Sequence, residues 1–159
     1  MVEVVWFKRD LRIHDHEPLI EASKRGDTIP LYIIEPELWK QPDVSDRQYH
    51  FLTEALSDLN QSLKKLGQEL IIKVGNADDI FINLINEFVI KNIWSHQETW
   101  NYWTYQRDIK LRKLFKSSNV NWVEIPTNGV VRNLAQRKNW ARFFYQEMNL
   151  IPFRPPTNL

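Results

Sequence analysis

The chain has 159 residues, 43% of them hydrophobic, enough to bury one core without covalent staples, and this predicts a single compact domain. It contains no cysteine, which excludes disulfides, thiolate nucleophiles and Cys-ligated zinc or iron–sulfur centres. With 21 basic against 20 acidic residues the net charge is +1, so contact with nucleic acid would need a local patch or another domain.

Residues 2–7 form an apolar run broken only by Glu3, as expected of a strand buried on both faces. A short helix is predicted over 16–24, with Pro18 tolerated in its first turn and Gly26 ending it. A second strand follows at 28–34. From 45 to 66, Tyr49, Leu52, Leu56, Leu59, Leu63 and Leu66 step by three or four and predict one long amphipathic helix, with Gly67 at a left-handed C-cap. A third strand is read at 69–74. Asn76 is placed as the cap of a third helix on which Ile80, Phe81, Leu84, Ile85 and Phe88 share a face. Strands at 92–95 and 120–125 flank a fourth helix at 101–116. This alternation predicts an α/β fold, a five-stranded parallel sheet with helices on both faces. Beyond it, NGVVRNLAQRKNWARFFYQEMNL offers a turn at Asn128-Gly129 and a basic, aromatic helix, and IPFRPPTNL reads as a linker. No apolar run approaches the roughly 18 residues of a membrane span. Met1 leads directly into a strand without a cleavable signal pattern, and a soluble cytoplasmic protein is expected.

Ligands of open parallel sheets bind beyond the carboxyl ends of the strands. That rule directs attention to Phe7, Lys8, Arg9 and Asp10, to Glu35, Glu37, Trp39 and Lys40, to Gly75, Asn76 and Asp78, and to His96, Gln97 and Glu98. There is no GxGxxG or GxxxxGK[ST], which argues against dinucleotide binding and P-loop chemistry. Lys8-Arg9-Asp10-x-Arg12 suits an anion clamp in which Asp10 steadies one arginine, or a structural ion-pair network. His14-Asp15-His16-Glu17 has the residue types of a metal site, but no third histidine or cysteine is spaced with them. His96 and Glu98 suit acid–base chemistry, yet no activated nucleophile accompanies them. The cations between Arg107 and Lys116 read as a solvated helix face or a DNA contact. The seven tryptophans suit core and interface positions, or a cofactor stack.

Taken together, these motifs resemble one family. WFKRDLR at 6–12, followed by Asp15 and Leu19, resembles the photolyase and cryptochrome signature WFRxDLRxxDxxxL. PLYIIEPELW, SDRQYHFLTEALSDLNQSLKKLG, Gly75 with Asp78, and Arg107-Asp108 follow in the family's order, and NGVVRNLAQRKNWARFF is similar to the region leading toward its second domain. The resemblance implies a Rossmann-like sheet of order 3-2-1-4-5 over 1–130. It also implies a segment, 131–159, that leads to an FAD-binding helical domain holding both the flavin and the DNA lesion. Complete members are light-driven deoxyribodipyrimidine photo-lyases or blue-light receptors. The α/β domain alone is then expected to hold an antenna chromophore (a deazaflavin, lumazine, FMN or folate) and to contribute no catalytic residue and no metal. Trp103-Thr104 stand where folate-binding members carry Asn-Glu, which argues against a folate. Phe7, Lys8, Arg9, Asp10, Glu35, Lys40, Arg47, His96 and Glu98 are the candidate cofactor-binding residues. Trp100, Tyr102 and Trp103 are also placed to fill such a pocket from within. DNA is expected only through the full-length protein. Two other readings stand beside this one: a free-standing nucleotide-binding module of stress-protein type, and an interaction domain whose tail docks a separate helical protein.

Overall fold

The computed structural model describes residues 1–127, 130–132, 134 and 136–159, so the turn expected at Asn128-Gly129 lies outside the described residues. Five strands, β1 (Val2–Phe7), β2 (Thr28–Ile34), β3 (Ile71–Val74), β4 (Ile90–His96) and β5 (Asn121–Ile125), form one parallel sheet of order β3-β2-β1-β4-β5. Helices α1 (Glu17–Ser23), α2 (Asp46–Lys64), α3 (Ala77–Glu87) and α4 (Tyr102–Ser117) connect them, and α5 (Trp140–Met148) follows the sheet. The fold class and strand order agree with the expectation.

The strand period of two divides β1 between two cores. Val4 and Trp6 pack with Phe81 and Leu84 of α3 and Leu111 and Phe115 of α4. On the opposite face Val5 and Phe7 pack with Leu19 of α1 and with Leu52, Leu56, Leu59 and Leu63 of α2. The predicted stripe of α2 is thus the buried one, although Tyr49 at its start is 38% exposed. Ser45 caps α2 by accepting from Gln48 N–H, Asn101 caps α4 by accepting from Thr104 N–H, and Gly67 takes φ +95°. Asn76 makes no side-chain cap: its amide turns to Asp79.

Glu3, which interrupts the first strand, is buried and lies on the α1/α2 face. Its carboxylate accepts from Asn92 Nδ2 at 2.9 and 3.0 Å and from Trp94 Nε1 at 2.6 Å. Buried donors stripped of their acceptor cost more than the hydrogen bond itself contributed. Glu3→Leu should therefore lower stability by about 1–3 kcal/mol despite its greater hydrophobicity, and a urea midpoint at or above wild type would contradict this.

The tail read as a linker lies against the domain. Asp15 N–H donates to Phe153 O at 2.9 Å, Phe153 N–H donates to Asp15 Oδ1 at 3.2 Å, and Leu159 N–H donates to Leu66 O at 2.9 Å. Leu159 also packs on the α1/α2 core. Among the described residues, no helix is long and apolar enough to cross a membrane.

Candidate functional site

At the carboxyl edge of the sheet the first turns of α2 and the loops after β1, β2 and β4 enclose a cleft of about 280 Å³. Phe7, Tyr32, Leu38, Trp39, Leu52 and Trp100 give it apolar walls, and Lys8, Arg9, Glu35, Gln48, Glu98 and Arg107 supply its polar groups.

Its floor is a buried ion-pair network. Arg107 of α4 donates from Nη1 to Glu35 Oε2 at 2.6 Å and from Nε to Asp108 Oδ1 at 2.9 Å. Its Nη2 lies close to Asp108 but out of line for a hydrogen bond, leaving one buried donor unsatisfied. Burial works against the Arg107 charge, but Glu35 and Asp108 hold the guanidinium above its ordinary pKa. Burial pushes the Glu35 carboxyl above the usual carboxylate range, against the pull of Arg107. Lys8 Nζ is 3.5 Å from Asp108 Oδ2 and lies over the Trp6 and Trp122 rings, and its burial lowers its pKa. Arg9 reaches toward solvent, pairing with Glu98 at 3.1 Å and lying over Trp100.

Behind this floor, Asp10 faces two histidines. Its Oδ2 is 2.9 Å from His16 Nε2 and in close contact with His96 Nδ1, and its Oδ1 accepts the Lys8 N–H at 2.8 Å. Burial would raise this carboxyl, but the two histidines hold it well below its ordinary value. Asp10 steadies neither arginine, contrary to the clamp reading, and Arg12 instead binds the carbonyls of His14 and Asp15.

The ligand atoms of Asp10, His16 and His96 lie within 4.8 Å of one another, a spacing that would suit a metal ion. The tautomer of His16 opposes that use. His16 caps α1, and its Nδ1 accepts the Leu19 N–H at 3.1 Å, so in the neutral ring the proton sits on Nε2, the atom facing Asp10. Burial lowers the His16 pKa and so favours this neutral form. A cation at Nε2 would require an imidazolate.

Of the residues singled out in the sequence, Phe7, Lys8, Arg9, Glu35 and Glu98 converge on the cleft. Asp10 and His96 form the cluster behind it. Lys40 is exposed and bonds Glu37 at 2.6 Å, and Arg47 is exposed on α2. Trp100 lines the cleft without closing it, Tyr102 is 75% exposed, and Trp103 lines a separate hollow with Asn76 and Lys110. Sequence reasoning missed Gln48, Phe51 and Arg107. The available signal was an aromatic residue, Phe51, off the buried stripe in the helical turn nearest the strand ends.

A parallel sheet of this order with an aromatic, charge-lined cleft at its carboxyl edge defines a Rossmann-like α/β domain. Residues 3–142 match the family described as DNA photolyase, and the chain belongs to that family. It is 29% identical over 139 residues to cryptochrome DASH of Solanum lycopersicum, covering 83% of this chain and 23% of that protein. It is 30% identical over 129 residues to the (6-4)DNA photolyase of Arabidopsis thaliana, covering 74% and 23%. Among solved structures, a class III photolyase from Agrobacterium tumefaciens superposes with a TM-score of 0.81 at 23% identity, over 99% of this chain and 34% of that one. An archaeal photolyase from Sulfolobus tokodaii, described with two FAD molecules and a novel light-harvesting cofactor, gives 0.76 at 24% identity, over 99% and 37%. The chain thus spans less than a quarter of the length of these two curated relatives.

Proposed function

We propose that this chain is the antenna and docking domain of a photolyase- or cryptochrome-type flavoprotein. The observation that carries the reading is the cleft beside Trp39 and Trp100. Its volume, about 280 Å³, is near the lower end of small-molecule sites and suits a planar ring system whose substituents extend outward. Flat walls from Trp39, Trp100 and Tyr32 match such a ring, and Arg9, Gln48 and Lys8 are placed to meet its heteroatoms. A deazaflavin, a lumazine or a flavin such as FMN fits this lining. We do not favour a folate, for which Thr104, buried and bonded back to Asn101 O, is unsuited.

When bound, such a chromophore absorbs light and passes the excitation through space to an FAD. The chain's own part is to fix the ring's orientation and exclude water. The exposed apolar residues of the tail, among them Phe143, Leu150 and Ile151, suit contact with an FAD-binding helical domain. DNA, whether for repair or not at all in a signalling protein, would be met through that domain. The same reading places the chain in the cytoplasm, which cell fractionation would check.

A nucleotide-binding module is the weaker reading. The end of α1 nearest the cleft is already capped by His16, and the Lys8 N–H is committed to Asp10, so phosphate finds no cradle there.

Titration with FMN, a 5-deazaflavin, a ribityllumazine and FAD, followed by fluorescence anisotropy, tests the proposal. FAD is included because the Sulfolobus tokodaii photolyase is described with two FAD molecules. At least one should bind stoichiometrically, and Arg9→Ala should weaken it roughly tenfold, the loss of about 1.4 kcal/mol. Binding of ATP or AMP in preference to all four would overturn it.

A further inference from the structure

A ligand excited by light in this cleft would lie against rings able to donate an electron, since Trp6, Trp39 and Trp100 all line it. Transfer of one electron from an indole to the excited chromophore yields an indole radical cation and a chromophore radical anion. Their recombination returns both partners to the ground state, and the excitation is lost as heat. An antenna domain therefore needs its tryptophans to be poor donors.

Two of these indoles carry cations. Lys8 Nζ lies 4.4 Å from the Trp6 ring centroid and Arg107 Cζ 4.7 Å from it. Arg9 Cζ lies 5.2 Å from the Trp100 ring. A cation over a neutral indole is attracted by its quadrupole, but the same cation repels the full positive charge that oxidation would create. The repulsion is strongest at Trp6, which is 1% exposed and so poorly screened by solvent. The cations over Trp6 are also fixed in place. Arg107 is bonded to Glu35 and Asp108, and Lys8 has a side chain only 7% exposed beside Asp108. Glu35 and Asp108 balance the net charge, but the positive ends of these pairs are what lies over the indole. Trp39 provides an internal contrast: it meets Tyr49 edge-on at 5.1 Å, and among the described residues no cation sits over its ring.

Building on the reading of the cleft as a chromophore site, we propose that Lys8, Arg107 and Arg9 are positioning residues that make Trp6 and Trp100 hard to oxidise. They thereby protect the excited state of the bound chromophore from quenching. They act through the indoles, and their effect is separate from any contribution to affinity.

Because Trp39 is left as an unprotected donor in the same cleft, the test is the fluorescence lifetime of the bound chromophore in the 159-residue chain carrying Trp39→Phe as the parent, measured at saturation with whichever of FMN, the 5-deazaflavin and the ribityllumazine binds. Lys8→Met should shorten it at least about twofold, since about 1.4 kcal/mol less driving force against transfer corresponds to roughly a tenfold faster step. Adding Trp6→Phe to Lys8→Met should restore it, and Lys8→Arg should leave it long. Arg9→Gln supplies a second arm that leaves the Arg107 bonds to Glu35 and Asp108 in place, because the Arg9 side chain is 52% exposed and meets only Glu98 at the edge of the network, a carboxylate the glutamine amide can still reach. It should shorten the lifetime through Trp100, with recovery in Arg9→Gln combined with Trp100→Phe. Transient absorption should show the indole radical cation in the shortened variants and not in the Trp39→Phe parent. Unchanged lifetimes in Lys8→Met and Arg9→Gln with chromophore bound would overturn the inference, as would a Trp39→Phe parent in which the chromophore is already dark. Failure of all three chromophores to bind wild type is a different result, seen in the titration, and removes the cleft reading itself.

Discussion

Arg107→Met should be the most damaging single change in the floor of the cleft, costing about 3–5 kcal/mol. It leaves Glu35 and Asp108, both nearly inaccessible, without the cation that Glu35 meets at 2.6 Å and Asp108 at 2.9 Å. For a domain of this size the loss corresponds to a fall in Tm of roughly 10 °C or more. The pH dependence carries the diagnostic sign. Burial already raises the Glu35 carboxyl, and removing Arg107 takes away the largest opposing influence. A carboxyl whose folded pKa is raised binds its proton in the folded state before the unfolded chain does. Stability then increases as pH falls through the raised value toward the unfolded one near 4.3. Relative to wild type, Arg107→Met should accordingly recover stability as pH falls from 7 toward that raised value, and Arg107→Lys should lose less at pH 7. Thermal melts of variant and wild type across that range check both points, and a deficit that widens on acidification would show that Glu35 is not the group left exposed to burial.

Asp10→Asn should cost about 3 kcal/mol at neutral pH through a different fault. Its amide nitrogen would confront His16 Nε2–H, a donor facing a donor, or else the Lys8 N–H would lose its acceptor at 2.8 Å. The sign of the linkage is opposite to that of Glu35. The Asp10 carboxyl is held well below its ordinary range, so between about 3.9 and that lower value the unfolded chain binds a proton that the folded one does not. Its stabilisation is complete above the unfolded value and disappears as pH falls through the folded one. His16 adds to the same trend below about 6.5, because its lowered pKa means the unfolded chain charges first. Wild type should weaken in both acid windows, whereas Asp10→Asn should be weaker at pH 7 yet flatter below pH 4. A variant profile that keeps the wild-type slope below pH 4 would assign the acid sensitivity to other carboxylates.

The features most legible in the sequence were those set by local periodicity. The β-branched run at Val2–Phe7 and the leucine ladder of α2 show their burial directly, because strand and helix periods leave a face that must be covered. What escaped was set by residues far apart in the chain. Arg107 sits in a run of cations that otherwise faces solvent, and only the approach of Glu35 from 72 positions earlier makes its burial tenable. Asn76 has the composition of a helix cap but turns its amide to Asp79 instead. Asp10 stands beside two arginines yet selects His96, 86 positions away, because the strand ends bring the two together. Within the cleft, a rotation of one residue along α2 separates exposed Arg47 from Gln48, which reaches the site. Only the docking of the helix fixes that rotation.

The strand order also shapes how the protein is made. β1 is the middle ribbon, flanked by β2 and β4, and it is made before either of them, so its second edge is completed only when residues around 90–94 arrive. Until then a row of bare amide and carbonyl groups on Val2–Val5 is open to strands of other molecules, a hazard that adjacent hairpins never face. Trimming the far ribbon, β5, removes only an outer edge, whereas deleting β1 splits the sheet down its centre.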